Sequence, residues 1–271
     1  MNIIVNVKYV PDATADRKFE GDNTVDRVGV DGLLSELDEF AVEQALQLRE
    51  KAGEGAEVEV TALCVGPEKA VDAVRKALQM GADKAIHVVD DAIAGSDAVA
   101  TSLVIAKAVE KAGSESGDSG GVDLVMCGMA STDGSMSVVP AMLAERLSWP
   151  QLTMASVVEA QGDQVRIKRD GDTATEVIGA SMPLVLSVTD QSGEARYPSF
   201  KGIMAAKKKP LEVWSLSDLG VDAGEVGLSV AWTEVEDTTA RPPRSQGEIV
   251  KDEDGSGATA LTEFLAAKKF I

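Results

Sequence analysis

Leu124-Val125-Met126-Cys127-Gly128-Met129-Ala130-Ser131-Thr132-Asp133-Gly134-Ser135-Met136-Ser137 is the stretch on which the fold turns. It opens as an unbroken apolar run, as in a strand buried on both faces, and small polar residues replace that bulk just after Cys127. A helical run opened by Val138 and Val139 follows, over residues 138–147. In an open α/β sheet, ligands bind outside the carboxyl ends of the strands. Gly128 and Gly134 let backbone N–H groups approach an anion closely. Ser131, Thr132, Ser135 and Ser137 add hydroxyl donors, and Met129, Ala130, Asp133 and Met136 complete the loop. The helix dipole favours a phosphate there by about 0.3–1 kcal/mol. A plain βα turn uses the same residue types, so the pattern alone leaves both readings open.

Upstream, apolar strands and amphipathic helices alternate. Asn2-Ile3-Ile4-Val5-Asn6-Val7 reads as a buried first strand, ended by Pro11-Asp12. A polar excursion over residues 17–30, turning at Gly21-Asp22-Asn23, predicts a small hairpin outside the main sheet. Ser35 is placed to cap a helix over residues 37–52, in a weak capping box with Asp38. Strands at 58–65 and 84–89 alternate with a helix that opens at Gly66-Pro67 and stops at Gly81, and with another over 98–112. A glycine- and serine-rich loop over 113–121 leads into the strand at 122–127. This alternation predicts an α/β fold, an open, mostly parallel sheet with helices on both faces.

Downstream of Trp149-Pro150 the pattern changes to hairpins over 156–160, 165–169 and 175–180, read as a β-hairpin addition at an edge, and the apolar stretch 182–188 returns to the sheet. Residues 237–257 carry Pro242-Pro243 and Asp252-Glu253-Asp254-Gly255 and are too polar to bury anything alone. A helix over 259–269 bears Leu261, Phe264 and Leu265. The expected organisation is a nucleotide-binding α/β domain over 1–235, with hairpin insertions near 17–30 and 156–180, and an extended C-terminal arm over 236–271 whose helix lies on another surface.

A chain of 271 residues removes roughly 75% of its unfolded surface from water, so neither disulfides nor metals are needed for stability. Cys64 and Cys127 lie in apolar runs, as buried thiols do. The single histidine, His87, has no Cys or His at ligand spacing, which gives a metal centre or a histidine triad little support. A net charge of −19 argues against duplex nucleic acid as a partner, because that affinity comes from clustered Lys and Arg. No basic leader opens the chain and no apolar run reaches membrane length. The expectation is a cytoplasmic protein without membrane insertion.

Two further glycine motifs fail on context. Gly53-Glu54-Gly55 follows a helix, and Ser119-Gly120-Gly121-Val122-Asp123-Leu124 precedes a strand instead of following one. The only concentrated basic stretch is Arg196-Tyr197-Pro198-Ser199-Phe200-Lys201-Gly202-Ile203-Met204-Ala205-Ala206-Lys207-Lys208-Lys209-Pro210. A solvated helix end is the usual reading of such a run. Here Phe200, Ile203 and Met204 precede the lysines, a combination that suits docking of an acidic partner by an apolar anchor and long-range attraction.

Seven stretches, read in order, carry a resemblance. They are Val7-Lys8-Tyr9-Val10-Pro11-Asp12; Glu39-Phe40-Ala41-Val42-Glu43-Gln44-Ala45; Ala77-Leu78-Gln79-Met80-Gly81-Ala82-Asp83; Asp123-Leu124-Val125 through Asp133-Gly134; Trp149-Pro150-Gln151; Pro183-Leu184-Val185-Leu186-Ser187; and Arg196-Tyr197 with Ile203-Met204 and Lys207-Lys208-Lys209. Together they resemble the β subunits of electron transfer flavoproteins, from the first strand to the C-terminal helix. The resemblance implies an adenine nucleotide α-hydrolase-like fold and an αβ heterodimer with one FAD, held mainly by the α subunit. It also implies a structural AMP on the β subunit and no independent catalysis.

Electrons would arrive from acyl-CoA and related dehydrogenases of fatty acid β-oxidation and leave towards a membrane quinone oxidoreductase. By the same resemblance, AMP contacts fall on Asn6; on Ser35, Glu36, Leu37 and Asp38; on Val65; and on the whole loop 128–139. Dehydrogenase docking falls on Tyr197, Phe200, Ile203, Met204, Lys207 and Lys208, with Phe200 where the family has an anchoring leucine.

Some positions depart from the family pattern. Leu37 stands where some members place an aromatic against the flavin, and Asp172-Thr173-Ala174 replaces an acidic-Gly-Gly signature. Ser135-Met136 replaces a common Asp-Thr, which leaves FAD open as an alternative occupant of the β site. A free-standing adenine-nucleotide sensor of universal-stress type shares the sheet topology and the glycine-rich loop, but lacks a hairpin module and an arm. An ATP-cleaving amide synthetase is the remaining alternative.

Overall fold

The computed structural model describes residues 1–15, 17–53, 55–115, 120–240, 242, 247, 249–252 and 255–271. Outside these lie Glu54, Ser116 to Ser119 of the glycine-serine loop, and Pro243, Glu253 and Asp254 of the expected polar arm. In chain order the elements are β1 (Asn2–Asn6), β2 (Tyr9–Pro11), β3 (Gly32–Leu34), α1 (Glu36–Lys51), β4 (Glu59–Val65), α2 (Val71–Met80), β5 (Lys84–Val88), α3 (Ala98–Glu115), β6 (Leu124–Gly128) and α4 (Val139–Leu147). Then come β7 (Gln151–Ala155), β8 (Val157–Gln161), β9 (Gln164–Asp170), β10 (Thr175–Ser181), β11 (Leu184–Val188), α5 (Phe200–Ala206), β12 (Leu211–Trp214) and α6 (Gly257–Ala267). The chain divides into two compact units, Met1–Glu236 and Asp237–Ile271. Within the second unit, α6 leaves Leu261 and Phe264 exposed.

The main sheet has seven strands in the order β12-β5-β4-β1-β6-β11-β7, and every neighbouring pair is parallel. Strand side chains alternate between the two faces, and the apolar runs divide accordingly. Ile3, Val5, Val60, Ala62, Cys64, Leu124, Met126, Leu184 and Leu186 pack into one core with α1 and α2. Ile4, Leu63, Val125, Cys127 and Val185 pack into another with α3 and α4. This is why these strands read as continuous hydrophobic runs. The chain winds outward from β1 through β4 and β5, then crosses to β6 and β11. The strand order therefore reverses between β1 and β6, where ligands bind in such sheets.

Several elements differ from the reading of the sequence. The residues expected to add to the sheet edge form a separate antiparallel sheet, β10-β9-β8, whose Val158, Val165 and Ile167 close the core beside α1. The polar excursion is not a full hairpin. It keeps a single bridge, Phe19 to Val25, and is bracketed by the antiparallel pair β2 and β3. The edge strand β7 was not anticipated. At Met154 it takes a left-handed φ of 60°, its register with β11 shifts between Leu186 and Val188, and the Met154 N–H donates to Ser187 Oγ at 3.0 Å. These are the marks of a bulge. The opposite edge, β12, is four residues long and carries Glu212.

Met126 has no solvent exposure and sits in mid-strand. Met126→Ala should therefore lower stability by about 2–5 kcal/mol, read as a lower midpoint at unchanged slope in urea unfolding.

Candidate functional site

The carboxyl ends of β1, β4 and β6 and the starts of α1, α3 and α4 enclose a cleft of about 250 Å³. Of the residues singled out in the sequence, Asn6, Asp38, Val65, Gly128, Met129, Ala130, Ser131, Gly134, Met136, Ser137 and Val139 line it. Ser35, Glu36, Leu37, Thr132, Asp133, Ser135 and Val138 do not. The former come from four separate stretches of chain, and the sheet brings them together at its switch point.

The residues behind the wall hold the loop in place. The Asp133 carboxylate pairs with Lys8 Nζ at 2.9 Å and with an Arg27 guanidinium nitrogen at 2.6 Å. Burial works against its charge, but these two cations outweigh burial and hold the carboxyl far below its ordinary value of 3.8. Arg17 donates to the Asp133 carbonyl at 3.0 Å and to the Thr132 carbonyl. Both arginines come from the polar excursion, so that segment serves as a clamp on the loop. Ser35 stands at the N-cap of α1 without a side-chain cap bond, contrary to the expected capping box. Its Oγ instead accepts the Thr132 N–H at 3.4 Å, and Asp38 is engaged elsewhere.

Asp38 is the floor of the cleft. Its carboxylate accepts the Lys8 N–H at 2.9 Å and also the Gly128 N–H, which ties the ends of β1 and β6 to the start of α1. Burial pushes its carboxyl up to about 7, against the pull of those N–H groups and of Lys8. Gly128 must be glycine for this arrangement. A Cβ there would stand 2.6 Å from both Asp38 Oδ1 and the Leu37 carbonyl, whereas one at Gly134 would meet only Ser131 Oγ at 3.4 Å. The Gly134 N–H is already used, donating to Asp133 Oδ1 at 2.7 Å.

The open donors lie further along the loop, past Ser135, whose N–H is taken by the Ser131 carbonyl at 3.0 Å. Ser135 and Ser137 have left-handed φ of 51° and 58°, backbone that can fold successive N–H groups into an anion-binding concavity. The N-cap of α4, Val138, makes no side-chain bond and Pro140 stands in the first turn. The remaining first-turn N–H groups thus lack intrahelical partners, and Val139 and Pro140 border the cleft. The sequence reading missed Ser96, Asp97, Ala98, Thr101 and Ile105 on the opposite wall. Asp97 before a helical run is an N-cap signal, and every βα junction of a parallel sheet opens on this edge.

The basic stretch lies elsewhere, on and around α5. Tyr197 and Phe200 are 92% and 82% exposed, and Ile203 and Met204 are exposed beside them. Lys207 and Lys208 are exposed too. The base of this segment is fixed. Arg196 binds Glu43 at 2.6 Å and Glu50 at 2.6 Å, Lys209 Nζ donates to the Leu78 and Ala82 carbonyls at the end of α2, and a Cβ on Gly202 would stand 2.5 Å from the Gln79 carbonyl. Cys64 and Cys127 are buried free thiols, and burial pushes Cys64 up to about 12. His87 is buried, with Nε2 3.2 Å from the Gly66 carbonyl. Among the described residues there is no cluster of potential metal ligands and no helix long and apolar enough to cross a membrane.

The electron transfer flavoprotein domain matches residues 22–219 of the chain. Across 272 aligned residues the chain is 45% identical to the electron transfer flavoprotein subunit beta of Mycobacterium tuberculosis, covering 100% of this chain and 99% of that one. The chain belongs to the electron transfer flavoprotein β-subunit family. It is similarly 44% identical to the subunit beta of Mycobacterium leprae over 100% and 99% of the two chains. Identity to the subunit beta of Thermoanaerobacterium thermosaccharolyticum is 35%, over the full length of both. An electron transfer flavoprotein β subunit is an electron-carrier component, which implies an α-subunit partner. The free-standing sensor and the amide synthetase give way to this membership.

Two outcomes follow for the β-subunit cleft. Gly128→Ala should destabilise the chain by about 1–3 kcal/mol through overpacking, while Gly134→Ala should stay within about 0.5 kcal/mol; chemical denaturation distinguishes them. Asp38 and Asp133 should act oppositely on stability. The contribution of Asp133 is present above its unfolded value of 3.8 and is lost as pH falls through its lower folded value. Asp38, raised from 3.8 to about 7, makes stability decline as pH rises across that interval. Carboxyl carbon NMR should place the Asp38 midpoint near 7, and a midpoint near 4 would contradict the buried bridge.

Proposed function

We propose that the cleft holds AMP and that the chain serves as the β subunit of a heterodimer whose α subunit carries most of the contacts to FAD. The observation that carries this reading is the convergence of the β1, β4 and β6 ends on an uncapped α4 start, across the switch point of the sheet. A phosphate at the α4 start would meet free N–H groups and the positive end of the helix dipole. The adenosine would lie towards Val65, Asn6 and the α3 start. The cleft's roughly 250 Å³ lies below the span of about 300–1,000 Å³ typical of pockets for drug-sized ligands, which favours a mononucleotide over FAD at this site. AMP here is structural, holding loop 128–139 and the three helix starts in one arrangement. FAD supplies the redox chemistry when bound in the heterodimer.

The proposed electron donors are acyl-CoA and related dehydrogenases of fatty acid β-oxidation, and the acceptor is a membrane quinone oxidoreductase. Tyr197, Phe200, Ile203 and Met204 form the apolar anchor for the dehydrogenase, and Lys207 and Lys208 attract its acidic rim. Because Arg196 and Lys209 fix both ends of this segment, little backbone entropy is lost when it docks. Residues 236–271 are proposed to form the arm that packs on the α subunit, with Leu261 and Phe264 as its contact face. The cytoplasm is the proposed site of action.

Mass spectrometry of nucleotide released from the purified, denatured protein should find AMP at about one per chain; FAD in its place, or no nucleotide, would refute the AMP assignment. Phe200→Ala should weaken coupling to acyl-CoA dehydrogenase by about tenfold or more, as for loss of a central interface anchor, with FAD and AMP content unchanged. Electron-transfer kinetics equal to those of the parent would exclude the docking role.

A further inference from the structure

The wall of the cleft opposite the glycine-rich loop is the start of α3, where Ser96, Asp97, Ala98 and Thr101 line the space. Two of these side chains also hold a distant part of the chain. The Asp97 carboxylate accepts the Ala100 N–H at 3.0 Å, capping α3, and its other oxygen accepts the Trp232 N–H at 2.9 Å, the Thr233 N–H at 3.2 Å and the Thr233 hydroxyl at 3.3 Å. Ser96 Oγ accepts the Gly227 N–H at 2.8 Å. Residues 227–233 thus form a strap on the outer side of the wall. Its seat is close: a Cβ on Gly227 would stand 2.7 Å from the Ala92 carbonyl, and one on Gly95 would stand 2.6 Å from Leu228 Cβ. None of the strap residues lines the cleft. The strap leads, within a few residues, to Asp237, where the second unit begins.

An ionised carboxylate offers about four acceptor positions; the strap's three donors fill one Asp97 oxygen, and the other carries only the Ala100 N–H of the cap. A ligand hydroxyl could meet the cap-side oxygen of Asp97 while the strap keeps the other. Ligand and strap therefore communicate through the placement of Asp97 and the first turn of α3, which both of them border. A ligand packed on the inner side of that turn and a strap bonded on its outer side favour the same ordered arrangement. We infer that Asp97 is a positioning residue that couples the cleft to the strap, so that a nucleotide in the cleft tightens residues 227–233 and the strap in turn tightens the nucleotide. This inference rests on the proposed function in taking AMP as the occupant. Coupling between two sites is reciprocal, typically by a factor of about 5–150. Loosening the strap must therefore weaken the nucleotide by the factor with which the nucleotide secures the strap.

Thr233→Pro removes the Thr233 N–H and hydroxyl, two of the strap's donors to Asp97, and alters no residue of the cleft. Calorimetric titration of the full-length chain with AMP should show affinity reduced about fivefold or more in this variant. In the parent, AMP should slow amide exchange across residues 227–233, and in Thr233→Pro the slowing should shrink. Asp97→Asn retains the size and one acceptor oxygen and should shift both readouts in the same direction, which covers the case in which proline disturbs folding. Variant affinities within about twofold of the parent, or strap exchange in the parent that ignores AMP, would overturn the coupling and leave the AMP site standing. A parent chain that binds no AMP would overturn both.

Discussion

The bridge made by Asp38 is the constraint on which the site depends. At the carboxyl ends of β1 and β6, which diverge in connectivity, the N–H groups of Lys8 and Gly128 both face a single carboxylate from the first turn of α1. The bond network fixes how close α1 can come, and only a glycine at position 128 leaves room for it. The cost is a carboxylate away from water, visible in its raised proton affinity. That cost is tolerated because the alternative, an unpaired Lys8 N–H just past the end of β1, is expensive as well.

Charge in this molecule is used locally. The chain is strongly acidic, yet Lys8, Arg17 and Arg27 gather on the backbone and carboxylate of Thr132 and Asp133. Arg196 likewise binds Glu43 and Glu50. The cations that matter for architecture are therefore paired or bonded to carbonyls, and the exposed lysines beside Phe200 stand out against an acidic surface. Within a low-dielectric setting the Asp133 pairs are much less screened by salt than surface pairs, which suits a loop that must keep one shape.

Much of the fold could be read because buried parallel strands announce themselves as apolar runs, and β1, β4, β5, β6 and β11 are such runs. β7 could not, since Gln151-Leu152-Thr153-Met154-Ala155 mixes polar and apolar residues and earns its place only through pairing with β11. β12 and the β2–β3 pair are too short for periodicity to register. In the cleft, Gly128 and the loop after it were legible from the abrupt change in residue size, while Asn6, Asp38 and Val65 joined them through the family resemblance. The α3 wall was not legible. Nothing near Asp97 in the sequence says that Trp232 and Thr233 will reach it, because that contact is created by the return of the chain after β12. Ser35 likewise looked like a cap, and tertiary structure gave its hydroxyl to Thr132 instead.

The two edges of the main sheet bear on how such a chain behaves in concentrated solution. A parallel sheet ends in rows of unpaired backbone groups that can recruit strands from other molecules. Here one margin is a four-residue strand interrupted by a glutamate, and the other is twisted out of register at Met154, with its N–H turned to a serine hydroxyl. Neither offers a long, flat template. Strand-by-strand growth into aggregates is thereby discouraged at both ends, and mutual repulsion between strongly acidic copies adds to the effect. The borders of the sheet thus work against edge-to-edge association of the folded chain.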